Sequence, residues 1–119
     1  MTIQEMYEAI GGDYKGTVIR LIDANRVDKF VRKLATVDAY TPIEECLSKE
    51  DYDGAFRAVH GLKGTSANMG FKRLYNVCVP LTEALRGGGK PDDSIDIAGM
   101  LAAVKEEYEA TMEAIRQLD

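Results

Sequence analysis

The sequence predicts an all-α protein, a bundle of antiparallel helices, and three observations carry that expectation. No segment alternates apolar and polar residues over the length of a strand. Apolar positions recur at three- and four-residue steps almost throughout, and the segments that carry them are joined by short connections rich in Gly, Asp and Pro. Long amphipathic helices with short connections pack as antiparallel neighbours. A chain of 119 residues can bury one genuine core, so a single domain over 1–119 is expected.

Each element has its own signal. Thr2 can cap a first helix reaching about Ile10, with Glu5 completing a capping box and Gly11-Gly12 as the stop. Val18, Leu21, Ile22, Val27, Phe30, Val31 and Leu34 then follow helical spacing, with a break near Asp23-Ala24-Asn25. Thr41 before Pro42 starts a short helix through Ile43, Cys46 and Leu47, with proline at its first position. Asp51 is the expected N-cap of a long helix that runs to about Met69 and stops at Gly70. Phe71 opens the next, through Leu74, Val77, Cys78, Leu81 and Leu85 to Arg86-Gly87-Gly88-Gly89, and Pro80 inside it should kink it or remove one backbone bond. The last helix starts near Asp93 or Ser94 and carries a clean apolar stripe from Ile97 to Leu118.

Composition limits the function. Fifteen basic against 20 acidic side chains, a net charge of -5, argue against nucleic acid as the main ligand. The amino terminus lacks the basic and apolar regions of a signal peptide, and no apolar run approaches membrane-spanning length, so a cytoplasmic protein with no membrane segment is expected. Cys46 and Cys78 have no paired spacing, which leaves them as buried, reduced thiols and implies no metal site. Arg86 to Lys90 imitates a phosphate loop, but Pro91 stands where Ser or Thr is needed, and the stretch reads as a linker.

His60, the only histidine, lies in the long helix that starts after Asp51. A rotation of roughly 100° per residue puts Ala55, Ala58, Leu62 and Met69 within about 40° of the pole opposite His60, flanked by Thr65 and Ser66. That is the expected buried face. His60 then points to solvent among Asp53, Phe56, Arg57, Lys63, Gly64 and Ala67. Gly64 costs the helix roughly 0.5–1 kcal/mol relative to alanine, and leaves the imidazole edge open to another protein. Ala67 keeps that approach flat. Lys63 can reach a phosphoryl oxygen as a point charge, and Arg57 can add a second. Phe56 is apolar where a solvated face would be charged, which suits docking. Gly70 reads as a C-cap, whereas Gly61, beside His60, has no evident use. Imidazole, with a reference pKa near 6.5, offers a neutral nucleophilic nitrogen near neutral pH. It can accept a phosphoryl group from an aspartyl phosphate and pass it on.

The run His60-Gly61-Leu62-Lys63-Gly64-Thr65-Ser66-Ala67-Asn68-Met69-Gly70 closely resembles the signature of histidine-containing phosphotransfer (HPt) domains. Gly-Gly-Asp at 11–13, Asp51-Tyr52 and Leu81 to Arg86 resemble stand-alone bacterial HPt proteins more loosely. The resemblance implies an antiparallel four-helix bundle with accessory N-terminal helices. It implies that His60 is the phosphorylated nucleophile, that Lys63 steadies the phosphoryl group, and that Gly64 admits a receiver domain. Gly70 matches the later glycine. Two departures are Gly61, where a hydroxyl residue is frequent, and Pro80 in a helix that is normally regular.

The expected function is therefore that of a phosphorelay intermediate, a carrier and not an enzyme, with no cofactor of its own. The catalytic groups and magnesium come from its partners, response-regulator receiver domains and a histidine kinase or hybrid kinase. The docking face should comprise Phe56, Arg57, Gly64 and Ala67, with Lys72 from the adjoining helix, on a monomer. Two other classes fit the sequence less well. A kinase dimerisation helix pair usually has an acidic residue after its histidine, where this chain has Gly61, and no ATP-binding domain accompanies it. A silent helical adaptor has no need for His60, Lys63 and Gly64 together.

Overall fold

The computed structural model describes all 119 residues, 1–119, and is entirely helical. Its elements are α1 (Ile3–Ala9), α2 (Tyr14–Leu21), α3 (Ala24–Leu34), α4 (Thr41–Ser48), α5 (Tyr52–Met69), α6 (Lys72–Ala84) and α7 (Ile97–Arg116). Each of α4 to α7 packs against the next, α5 against both α4 and α6, giving an antiparallel four-helix bundle with α1 to α3 as accessory helices.

The expected caps are in place. Thr2 accepts from the Glu5 amide while Glu5 accepts from the Thr2 amide, the reciprocal box that satisfies two N-terminal donors of α1. Asp51 accepts from the Gly54 amide at 2.9 Å to start α5. At the other end of α5 Gly70 adopts φ +69° and Phe71 N donates to Ser66 O, a glycine stop in the left-handed region.

Several boundaries differ from expectation, and side-chain oxygens explain most of them. The last helix begins at Ile97, three or four residues later than Asp93 or Ser94, because the Asp96 carboxylate accepts from Gly99 N. Asp92 is spent on a local turn with Ser94 N. At α4 the cap position is Tyr40, and Asp38 accepts from both the Tyr40 and Thr41 amides, so proline stands one position further in. Phe71 is a buried cap residue and α6 starts at Lys72. Pro80 does not interrupt α6: its side chain is exposed, and only the bond its missing N–H would donate is lost.

The core comprises residues from every helix but α2 and from the intervening corners, among them Met6, Val27, Ile43, Val59, Leu62, Leu74, Leu81, Leu85, Val104 and Ile115, and Tyr14, Val18 and Leu21 of α2 pack half-buried against it. On α5 the buried line is Ala55, Val59, Leu62, Ser66 and Met69, with Ala58 and Thr65 only half-buried. Val59, fully buried, lies off the face opposite His60 on which helical periodicity alone places the core. Helices pack on both sides of α5, and the core faces the side nearer α6. Ser66 is buried because its hydroxyl donates back to Leu62 O at 2.8 Å. Ile22 and Phe30, on the expected stripe of α2 and α3, are exposed, since the break at Ile22 rotates the second half.

Cys78 is fully buried, as expected, whereas Cys46 is only half-buried. Desolvation pushes the Cys78 thiol up to about 12 against a smaller opposing pull from Lys63, and pushes the Tyr40 phenol up to about 12 with help from its bond to Glu44. Both groups lie above their unfolded values of about 8.5 and 10. Their contribution to stability is complete below those values and is lost as pH rises toward the folded ones. Urea midpoints should therefore hold steady to about pH 8 and fall between about pH 9 and 12. A midpoint unchanged at pH 10.5 would contradict this burial.

Candidate functional site

α5 carries His60 near its middle, on the face away from the core, where the side chain is exposed. The helix is held at both ends. The Asp51 cap fixes its start, and accessory residues satisfy its last carbonyls: Tyr7 Oη donates to Met69 O at 2.7 Å, Arg20 Nε to Asn68 O, and Asp13 N to Gly70 O. Burial drives the Tyr7 phenol far above its ordinary range, so this hydroxyl stays a donor.

The surroundings of His60 are asymmetric. A Cβ built on Gly61 or on Gly64 would meet nothing within 4 Å. Neither glycine is required by packing inside this chain, and both lie on one flank of the imidazole. Each forgoes roughly 0.5–1 kcal/mol of helix stability relative to alanine. The sequence offered no use for Gly61; the structure shows that it extends the same open floor as Gly64.

The other flank is a wall built with α6. The Phe56 ring, half-buried, lies 5.5 Å from the His60 ring at an interplanar angle of 32°. The Arg86 guanidinium lies over Phe56, 5.4 Å from the ring centroid. Glu83 holds it with two hydrogen bonds, Nε to Oε2 at 3.0 Å and Nη2 to Oε1 at 2.7 Å. Those bonds, with the Arg86 charge and a weaker pull from Lys63, set the Glu83 carboxyl below its usual range. Lys63 is half-buried, its charge opposes the rise of the Cys78 thiol, and its ammonium is in no ion pair within the chain.

The remaining expected residues divide. Arg57 is exposed, one turn before His60, and pairs with Asp53 at 3.0 Å, so it is a partly neutralised cation. Ala67 is exposed on the histidine side, two turns on. Lys72 is exposed beside Ala67, Gly70 and Tyr75 in a shallow cleft that Arg20 and Asp13 complete. Ala67 is about 10 Å from His60 along the helix axis at 1.5 Å per residue, so Lys72 sits at the edge of the histidine face and not beside the ring. Glu83 and Arg86 are site residues that the sequence does not reveal. Their three-residue spacing at the end of α6 was visible, but nothing in the sequence said that this end folds back onto Phe56.

The chemistry available is narrow. An exposed imidazole, an unpaired ammonium one turn on and an open approach allow an oxygen-bound phosphoryl group to be accepted and steadied. No group of three or more His, Cys, Asp or Glu side chains is placed to hold a metal ion, and no helix is long and apolar enough to cross a membrane.

The family model described as Hpt domain matches residues 20–118. No curated protein and no solved structure gives a significant match to the chain. Members of that family are phosphocarrier modules of two-component signalling, working with response regulators and kinases. Its all-helical bundle and a match over all but the first 19 residues and the last one identify this chain as a member of the Hpt domain family.

Proposed function

We propose that this chain, acting as one HPt unit, is a phosphorelay intermediate that accepts a phosphoryl group on His60 and exchanges it with receiver-domain aspartates. The observation that carries the reading is the open floor on one side of His60: two helix-interior glycines that no contact in the chain requires. An incoming loop can bring an aspartyl phosphate to the imidazole over Gly61 and Gly64. The neutral ring nitrogen attacks phosphorus, the P–O bond to the aspartate breaks, and the carboxylate leaves into the partner's site. Lys63 offsets charge on the transferred group as a mobile cation. Magnesium and the groups that activate the aspartate belong to the receiver, so this chain needs no cofactor.

Phe56, Arg57, Gly64, Ala67 and Lys72 frame the docking face in this reading, with Gly61 added and Lys72 at the periphery. The chain acts as a monomer in the cytoplasm, and the contact is small and transient, as weak signalling encounters are. A labelled phosphoryl group on a receiver domain should move to this chain, and the variant His60→Gln should take up none. Uptake by His60→Gln with an unchanged circular dichroism spectrum would refute the assignment.

A further inference from the structure

Arg86 and Glu83 form an exposed ion pair, with side chains 52% and 55% accessible. Such pairs contribute little to stability, because water screens both charges. The pair is nevertheless placed with care. After Leu85 closes α6, Gly87 and Gly88 take φ values of +92° and +77°, and a Cβ on Gly88 would come within 3.1 Å of the Asp53 side chain. That turn sets the end of α6 against the first half of α5. Glu83 then fixes the guanidinium fork with two bonds, the guanidinium covers Phe56, and Phe56 lies against the imidazole. A planar cation over an aromatic face and two rings in tilted contact are both attractive arrangements.

We propose that Arg86, held by Glu83, is a positioning residue for His60 and acts through Phe56. The stack closes the α6 flank, so the ring is confined to orientations that present its edge over Gly61 and Gly64. Lysine cannot replace this function fully, because it lacks the planar fork that both bonds Glu83 and covers the ring. Only the kinetic arm of the test rests on the phosphoacceptor reading.

The first arm uses the unmodified protein. Nuclear Overhauser contacts between the Phe56 and His60 ring protons should be present in the wild type, lost in Arg86→Ala and weakened in Arg86→Lys, while the melting temperature stays within a few degrees. Unchanged contacts in Arg86→Ala would overturn the proposal whether or not His60 is ever phosphorylated. The second arm follows phosphorylation by phosphoramidate, which needs no docking partner. Arg86→Ala should lower the maximal rate roughly five-fold without altering the dependence on donor concentration. Phe56→Ala should do the same, and the double variant should be no slower than either, because both act on one contact. Effects that multiply, or a change confined to donor concentration dependence, would show that Arg86 works independently of Phe56.

Discussion

Gly64→Leu should lower the rate of phosphoryl exchange with a receiver domain by about 100-fold or more, and should leave phosphorylation by phosphoramidate within about two-fold of wild type. The space around Gly64 is empty inside the chain, so leucine can be accommodated without rearranging the core. Leucine is also a far better helix former than glycine, and the variant should be more stable by roughly 0.5–1 kcal/mol. What leucine takes away is close approach. An aspartyl phosphate must come within near-attack distance of the ring nitrogen, and displacement by about 1 Å is enough to cost two orders of magnitude. A small donor can enter from another direction. Gly61→Ala should follow the same pattern more weakly. A stabilised variant that exchanges at the wild-type rate would remove the argument that these glycines serve a partner.

Gly70→Ala should have the opposite signature, a loss of about 2–4 kcal/mol of stability. Gly70 sits at φ +69°, where alanine is strained. Its Cβ would also collide with the Thr17 hydroxyl and with Asp13 O at 2.6 Å. Neither neighbour can yield cheaply. Thr17 is fully buried and its hydroxyl donates to Asp13 O, while Asp13 N donates to Gly70 O. The substitution therefore breaks the contact by which α2 closes the C-terminal end of α5. Urea unfolding measures it directly, and a midpoint matching wild type would show that α2 is not fastened there. The two glycines of one motif thus answer to different constraints, an external partner for Gly64 and internal packing for Gly70.

That distinction marks how far the residues could be read before the fold was known. Helical spacing, Asp51 and Gly70 located α5 to the residue, since local caps and left-handed glycines are encoded within a few positions. The outward position of His60 followed from the same periodicity. The rotation of the buried face toward α6, which buries Val59 and half-buries Phe56 and Lys63, did not, because it depends on which neighbours flank α5. The start of α7 was misplaced for a related reason. Asp92, Asp93, Ser94 and Asp96 are all competent caps, and spacing alone does not say that Asp96 takes the Gly99 amide while Asp92 takes that of Ser94. Arg86, and Glu83 which holds it, were invisible as site residues because the contact of Arg86 with Phe56 crosses 30 residues of chain.

The most direct test of the central claim is intact-mass analysis after incubation with phosphoramidate, for wild type and His60→Gln. The account predicts one added phosphoryl group on the wild type, labile in acid and stable in base, and none on the variant. A wild-type protein that stays unmodified while correctly folded, or a variant that gains the same group, would contradict it.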